Sequence, residues 1–228
     1  MLSFVRHAFA IAGILSAPFA TAQTAPHVDW SALPDAQAQT YEDPYRELTQ
    51  PQMQQLMELV RLRQASSAED TDEAQKDTLQ KQAAHIEKSL RTQQLDPDWI
   101  LSQREAVAAR RKHAALAINA ELEGKLVTMS GYLLNATSLD DGTNVTYLLP
   151  SRGVCMHLPP PAPNQVIKLV VEQLPEPMGP CIASIVRGRL SGSEARHTVP
   201  SADDSTPMWS RWEMRVTESS TTTPLPLD

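Results

Sequence analysis

The hydrophobic period of the chain changes at Gly124, and this change constrains the fold more than any other feature. Between residues 49 and 123, apolar side chains recur every three or four positions, as on one face of an α-helix. After Gly124, apolar and polar residues alternate in short runs, as in half-buried β-strands. Helices followed by strands, without βαβ alternation, predict an α+β fold with N-terminal helices.

The region 49–123 is predicted to hold three helices. Thr49-Gln50-Pro51-Gln52 fits a capping box with proline in the first turn, so the first helix begins there. The apolar face of the first helix comprises Met53, Leu56, Met57 and Val60. The apolar face of the second helix comprises Leu79, Ala83, Ile86 and Leu90. Asp96-Pro97 opens a third helix that runs to Leu122, with Gly124 as its cap. The short Gln-Leu-Asp-Pro connection predicts that the second and third helices form a long antiparallel hairpin.

Five strand-like runs follow, at residues 126–134, 145–149, 166–172, 182–190 and 209–217. Turn signals separate them, notably Asp140-Asp141-Gly142 and a group of prolines between the third and fourth runs. Five short strands of this kind predict a small antiparallel β-barrel, of which the oligonucleotide-binding (OB) type is the best-known example. We therefore assign residues 124–218 to an OB-like barrel with a proline-rich loop, and residues 219–228 to a disordered tail.

The N-terminus has the three-part pattern of an export signal. Arg6 and His7 precede an apolar run, and Ala20-Thr21-Ala22 supplies a small-x-small cleavage site. The apolar run is too short for a permanent membrane span, so residues 1–22 are predicted to be a cleaved signal peptide, with no stable membrane insertion. We expect a periplasmic protein if the source is Gram-negative. Residues 23–48, which include Leu33, are predicted to be an extended anchoring segment, with the aromatic residues Trp30, Tyr41 and Tyr45 as its anchors.

Charge and motifs exclude several classes of function. The net charge of −7 and the pI of about 5.4 oppose binding to nucleic-acid phosphates, so no nucleic-acid partner is expected. The strongest basic cluster, residues 110–113, spreads around a helix and indicates a solvated face. The sequence lacks a Gly-x-Ser-x-Gly elbow, a His-Glu-x-x-His helix, a phosphate-binding glycine loop and a Cys-x-x-Cys pair. We therefore expect a protein that is not an enzyme.

Both cysteines of the chain, Cys155 and Cys181, lie in the predicted mature protein. In an oxidising compartment such a pair forms a disulfide more often than two free thiols. Closing this loop would stabilise the fold by roughly 3 to 4 kcal/mol in the chain-entropy estimate.

Residues 154–165, which read VCMHLPPPAPNQ, carry the distinctive chemistry of the chain. In an extended conformation Cys155 and His157 would point to one face, where sulfur and imidazole could converge on one ion. Two ligands are only half of a tetrahedral zinc site, and the candidates for further ligands are His197, Asp140 and Asp141. The alternative is a buried or disulfide-bonded Cys155 beside a hydrogen-bonded His157. No cofactor is required, although zinc is a possible one.

The proline run in this segment predicts stiffness. Proline fixes its own backbone angle and extends the residue before it, so residues 158–163, including Pro159, Pro160 and Pro161, are predicted to form a polyproline II segment. Such a segment serves either as a rigid connector between strands or as a preformed ledge that a partner recognises. Asn164 and Gln165 would close the loop by side-chain hydrogen bonds to its free carbonyls. Arg152, beside the loop, would bind an anion or pair with an acid.

Several short motifs together carry a family resemblance: Asp29-Trp30 with Leu33-Pro34, Gly131-Tyr132-Leu133-Leu134, Tyr147-Leu148-Leu149-Pro150, Gly153-Val154-Cys155-Met156-His157-Leu158-Pro159-Pro160-Pro161 and Pro163-Asn164-Gln165. They resemble an exported bacterial family of unknown function, number 3299, whose signature reads Gly-Ala-Cys-Ile-His-Val before a proline run and Asn-Gln. The resemblance covers mainly residues 125–217, with a weaker similarity at residues 28–48.

The resemblance implies an OB-type barrel and no known catalytic activity. Several members are encoded beside ABC transporters, some of them linked to zinc supply. This chain departs from the pattern in its helical insertion at 49–123, in Ala162 within the proline run and in Cys181. A disulfide between Cys155 and Cys181 would therefore be a peculiarity of this branch.

These observations lead to three functional hypotheses. The first is a non-enzymatic exported accessory protein that binds an envelope ABC-type transport system or another exported protein. The second is a periplasmic zinc-binding or zinc-delivery protein that uses Cys155 and His157. The third is a thiol-dependent enzyme, which would need a depressed pKa for its cysteine.

Overall fold

The computed structural model describes residues 25–152, 160–171, 181–201 and 204–221. The helices are α1 (Gln50–Ser66), α2 (Glu73–Thr92), α3 (Pro97–Ser102) and α4 (Arg104–Leu116). The strands are β1 (Leu126–Thr137), β2 (Asn144–Leu149), β3 (Ile167–Val170), β4 (Ile182–Ser201) and β5 (Asp204–Thr221). Helices precede strands along the chain, so the predicted α+β class is confirmed.

The helical hairpin is formed by α1 and α2, and the predicted pairing of the second and third helices is wrong. Leu59 and Leu62 of α1 are buried in one cluster with Ala83 and Leu90 of α2. The side-chain amide of Gln55 donates to Ser89 Oγ across the pair. The polar break after α1 is only a few residues long, so α1 folds back on α2 before the third helix is reached.

The predicted third helix is shorter than expected and interrupted. It breaks at Gln103, whose ψ of −7° separates α3 from α4, and it ends at Leu116 instead of Leu122. Residues beyond the helix pair with the N-terminal segment, since Asp35 donates its amide to Ala117 and Asn119 donates its amide to Leu33. These backbone bonds to a distant segment replace the last helical turn. Gly124 adopts a φ of +70° at the entry to β1, so it does not cap the third helix as predicted, because that helix already ends at Leu116.

The strands close into a barrel in the order β1-β2-β3-β5-β4. The expectation that all pairs are antiparallel is wrong for one pair, because β3 and β5 run parallel. A closed ring with an odd number of strands cannot alternate direction at every step, so one parallel pair is unavoidable. The core of the barrel contains Val127, Met129, Leu148, Leu190 and Trp212, each fully buried.

Strands β4 and β5 are about twice as long as their apolar runs indicated. An irregularity between Gly192 and Ala195 marks where the pair leaves the barrel. Beyond it, Val199 and Met208 cover the outer face of β2 in a second cluster with Val145, Tyr147 and Leu149. Strand β2 is therefore buried on both faces. The predicted tail is also corrected, since residues 219–221 belong to β5 and residues 222–228 lie outside the described part.

The N-terminal segment crosses both halves of the molecule. Leu33 is fully buried in the barrel core, and Trp30 donates its indole N–H to the carbonyl oxygen of Ser130 at 2.8 Å. Tyr45 packs on the helical cluster and donates its hydroxyl to the carbonyl oxygen of Ile100. Tyr41 lies under the guanidinium of Arg46. This segment thus ties the helices to the barrel.

Candidate functional site

The proline-rich loop lies between α4 and β5, and its described part, residues 160–165, is called the proline ledge below. Among the predicted site residues, Cys155, His157 and Pro159 fall within 153–159, outside the described residues. Pro160, Pro161 and Gln165 are half-buried on the ledge, whereas Asn164 is 1% exposed. The ledge is therefore anchored at Asn164 and open to solvent on either side of it.

Asn164 binds the end of α4. Its Nδ2 donates to the carbonyl oxygen of Ala114 at 2.7 Å and to that of Ala117 at 2.8 Å. The last carbonyls of a helix have no partner within the helix, and a buried one must find a donor elsewhere. Both amide hydrogens of Asn164 are thus used as a C-terminal cap from a distant loop. The prediction that Asn164 would bind carbonyls of its own loop is wrong.

Two further side chains bind the same helix end. Gln39 donates its Nε2 to Ala114 at 2.9 Å, and Arg211 of β5 donates its Nε to the carbonyl oxygen of Leu116 at 3.1 Å. The positive charge of Arg211 suits the negative end of the helix dipole. Asn164, Gln39 and Arg211 therefore join the ledge, the N-terminal segment and the barrel at one point, called the α4 junction below.

The backbone of the ledge is only partly polyproline II. Ala162 has φ −55° and ψ 143°, close to that conformation, but Pro163–Gln165 form a 3-10 helix. Gln165 contributes through its backbone, donating its amide to Ala162 at 2.7 Å. The predicted polyproline II segment therefore ends one residue early. The turn is what points the amide of Asn164 into the protein.

Arg152 and Cys181 flank the gap in the described loop. Arg152 is exposed, and its carbonyl oxygen lies 3.6 Å from Sγ of Cys181. Cys181 is 7% exposed and has a φ of 62°, which is rare for a residue with a side chain. The described residues contain no free cysteine. Its predicted partner, Cys155, lies outside the described residues.

The structure brings His197 close to the Asp140-Asp141 turn, although the sequence spacing did not indicate this. Thr198 donates its amide to Oδ2 of Asp140 at 2.7 Å, which fixes the turn against β4. A hydrogen bond of 2.6 Å joins Nδ1 of His197 to the hydroxyl of Tyr147. Burial, with a smaller contribution from the charge of Asp140, raises the pKa of Tyr147 to about 12.

The two carboxylates of this turn already have partners. Asp141 accepts from the backbone amide and the hydroxyl of Thr143, and these bonds lower its pKa. Asp140 accepts from Thr198. Across the described ranges, no three His, Cys, Asp or Glu side chains are arranged to hold a metal ion. The candidate ligands of this turn are thus occupied by structural hydrogen bonds.

Comparison with known proteins assigns the family. Residues 30–208 match a family described as "Protein of unknown function (DUF3299)". The chain belongs to the DUF3299 family. This confirms the predicted family, whereas the role of its Cys-x-His and proline signature stays a prediction.

A crystal structure of another DUF3299 protein offers a structural comparison. That protein, from Pseudomonas aeruginosa PAO1, was solved at 2.45 Å resolution and is 19% identical to this chain. The similarity covers 57% of this chain and 83% of that one, with a TM-score of 0.37. No curated protein matches the sequence. None of the helices in the described part is long and apolar enough to cross a membrane.

One charged pair of this DUF3299 chain has no counterpart among the residues predicted from the sequence. Arg111 donates two hydrogen bonds, of 2.8 and 3.0 Å, to Asp43, whose side chain is fully buried. These bonds hold the pKa of the Asp43 carboxyl below its ordinary value. Residues 111–113 are exposed, as a solvated face requires, and Arg111 in addition pairs with a buried carboxylate. The sequence signal that marks Asp43 as a structural residue is Asp43-Pro44, the same type of helix-start pair as Asp96-Pro97. Asp43 caps the short 3-10 helix Pro44–Arg46.

Proposed function

We propose that this DUF3299 protein is a non-enzymatic, exported accessory protein that binds a component of an envelope ABC-type transport system. The recognition element in this proposal is the proline ledge. The observation that carries it is the burial of Asn164, which anchors the ledge to α4 through two hydrogen bonds. A partner would therefore meet a surface that is already ordered.

Preorganisation is the physical argument for the ledge as a binding element. A flexible loop loses conformational entropy when a partner orders it, whereas a proline-rich segment has little conformational entropy to lose. Pro160 and Pro161 are half-buried, so each keeps part of its ring surface available for contact. The ledge sits against the end of α4, so a partner bound there would touch both the barrel and the helices.

We also propose that the barrel is of the OB type. A closed barrel of five strands in the order β1-β2-β3-β5-β4, with its parallel pair between β3 and β5, supports this assignment. The acidic character of the chain argues against nucleic acid as the ligand of this barrel.

The localisation is part of the same proposal. A cleaved signal peptide at residues 1–22 would deliver the protein to the periplasm, where Cys155 and Cys181 would form a disulfide. The absence of a free cysteine among the described residues supports this pairing, because the chain has only two cysteines. The bond would link the signature segment to the start of β4.

Site-specific photo-crosslinking tests the proposed function. A photoreactive residue at position 160 or 161, in protein exported by its native host, is expected to capture a subunit of an ABC-type transport complex. The matched control carries the same residue at Lys81, a 74% exposed side chain on α2 far along the chain from the ledge. Capture of no transport subunit, or equal capture from both positions, would contradict the proposal.

Zinc binding by Cys155 and His157 is the alternative proposal, and a thiol enzyme is the third. Native mass spectrometry of protein purified without chelators separates them. A metal-free protein without free thiols supports the binding-protein proposal. One bound zinc ion that is lost in a His157→Ala variant supports the zinc proposal, and a single alkylatable cysteine of depressed pKa supports the enzyme.

A further inference from the structure

An open groove of about 620 Å³ lies on the helical half of the protein, and none of the proline-ledge residues lines it. Helix α1 forms one wall, and the end of α3 together with α4 forms the other. The lining residues are Tyr45, Met53, Leu56, Met57, Val60, Leu101, Arg104, Val107, Ala108 and Arg111. The walls are therefore apolar, and the charged residues in the lining are two arginines.

The groove exists because α1 carries more apolar surface than α2 covers. Leu59 and Leu62 are buried against α2. Met53 and Val60 are only half-buried, and Met57 is 63% exposed, although the sequence predicted all three on the core-facing side. Unbranched methionine side chains adapt to differently shaped apolar ligands. This face of α1 thus offers apolar surface that the described fold leaves open.

The charge of the groove is positive. Arg111 is held by Asp43, which also lies 3.4 Å from Arg46, so a single carboxylate serves two guanidiniums. Arg104 makes no ion pair with any of the described residues and is exposed. No Asp or Glu side chain lines the groove. In a protein of net charge −7, this local excess of cations favours an anionic ligand.

Tyr45 fixes the charged part of the groove. Its hydroxyl donates to the carbonyl oxygen of Ile100 at 2.8 Å, so the ring cannot swing out of the wall. The guanidinium of Arg111 lies 5.8 Å from the centre of that ring. Burial raises the pKa of Tyr45, and the positive charges of Arg104 and Arg111 oppose this shift.

We propose that the groove binds a small amphiphilic anion, a straight hydrocarbon chain that ends in a carboxylate. The chain would lie along the methionines and leucines, and the carboxylate would accept hydrogen bonds from Arg104. A guanidinium binds a carboxylate through two parallel hydrogen bonds, which suits this headgroup. The groove volume lies in the range of small-molecule sites, about 300 to 1,000 Å³, so one such molecule is the expected occupant. This inference is independent of the proposed role of the ledge.

Titration calorimetry with dodecanoate, below its micellar concentration, tests both parts of the proposal. We expect saturable binding of one molecule per chain, and binding at least about tenfold weaker for dodecanol, which keeps the chain but lacks the charge. Arg104→Ala should lower the affinity for dodecanoate by a similar factor and leave the affinity for dodecanol unchanged. The control is Arg61→Ala, which removes a 75% exposed arginine of α1 outside the groove. Equal affinities for the two ligands, or equal losses in the two variants, would overturn the proposal.

Methionine methyl resonances locate the ligand. Dodecanoate should shift the signals of Met53 and Met57, and leave those of the buried barrel residues Met129 and Met214 in place. Met57→Ser should weaken binding, whereas the control Leu139→Ser, at a similarly exposed apolar residue, should not. Shifts in the barrel instead of the groove would refute the site. Shifts caused by an acidic amphipathic peptide but not by dodecanoate would assign the groove to a protein partner, and would equally refute the proposal.

Discussion

Nδ2 of Asn164 lies 2.7 Å from the carbonyl oxygen of Ala114, and this contact joins a loop of the barrel to the last turn of a helix. The two residues are separated by 50 positions. Gln39 and Arg211 bind the same helix end from two other segments. The orientation of the helices on the barrel therefore depends on a few polar contacts at the α4 junction as well as on apolar packing.

Asn164→Ala should destabilise the protein by about 2 to 3 kcal/mol. The substitution removes two hydrogen bonds and leaves the carbonyl oxygen of the buried Ala114 and that of the half-buried Ala117 with one donor fewer each. Urea unfolding measures the change. Gln165→Ala is the matched control, because the described contacts of Gln165 are made by its backbone, and its effect should stay within about 0.5 kcal/mol. Equal effects of the two substitutions would show that the junction contributes no stability.

Asp43 should make the stability of the protein depend on pH in the acid range. Its folded pKa is depressed below the ordinary 3.8, mainly by the hydrogen bonds from Arg111. The native state therefore holds the ionised form more tightly, and this stabilisation is present above the unfolded pKa and is lost as pH falls through the folded pKa. Asp43→Asn should flatten the pH dependence of the unfolding midpoint below about pH 5.

The control for this measurement is Asp77→Asn, which removes an exposed carboxylate paired with Lys81 on the surface of α2. Exposed ion pairs contribute little to the free energy of unfolding, so the pH dependence of the unfolding midpoint in Asp77→Asn should follow that of the unmodified protein. If Asp43→Asn and Asp77→Asn gave the same profile, the burial of the Asp43 carboxylate would have no energetic consequence.

Tyr147 should be the last described tyrosine to ionise as pH rises. Its pKa of about 12, due first to burial, means that the native state binds its proton more tightly than the unfolded state does. The resulting stabilisation is complete below the unfolded pKa of about 10 and is lost as pH rises towards the folded value. Tyrosinate absorbance should lose its highest-pH step in Tyr147→Phe and keep it in Tyr41→Phe. A step that disappears in Tyr41→Phe instead would reject the assignment.

Cys181→Ala should lower stability by roughly 3 to 4 kcal/mol if the proposed disulfide forms. Cys155→Ala should cost the same, and the double variant no more, because either substitution removes the whole bond. Chemical unfolding under non-reducing conditions measures all three. A thiol dye should find no reactive group in the denatured, unreduced protein and two after reduction, as the chain has two cysteines. Two reactive groups before reduction would eliminate the disulfide.

Local signals in the sequence predicted much of the fold. The capping box at Thr49, the Asp96-Pro97 start and the five strands all appear where the pattern placed them, although β4 and β5 extend well beyond their predicted runs. Each depends on residues within a few positions of one another, so it can be read without knowledge of the tertiary structure. The family could also be predicted, because short motifs identify it.

Long-range contacts could not be predicted in the same way. The role of Asn164 depends on Ala114, which lies in a helix 50 residues earlier. The hydrogen bond between Tyr147 and His197 also joins residues that are 50 positions apart. The extra length of β4 and β5 could not be predicted either, because polar residues predominate where the two strands pair mainly with each other. A backbone ladder between two strands leaves no apolar period in the sequence of either one.

The amino-acid sequence by itself determined the order of helices and strands, their main starting points and the family, because propensity, capping and hydrophobic period act over short distances. Tertiary structure alone decided which helices pair, where the third helix ends and what Asn164 binds. It also decided that one apolar face of α1 stays open beside Arg104. The physical reason is that burial and buried hydrogen bonds are settled between distant segments, and a residue's own neighbours in sequence do not specify them.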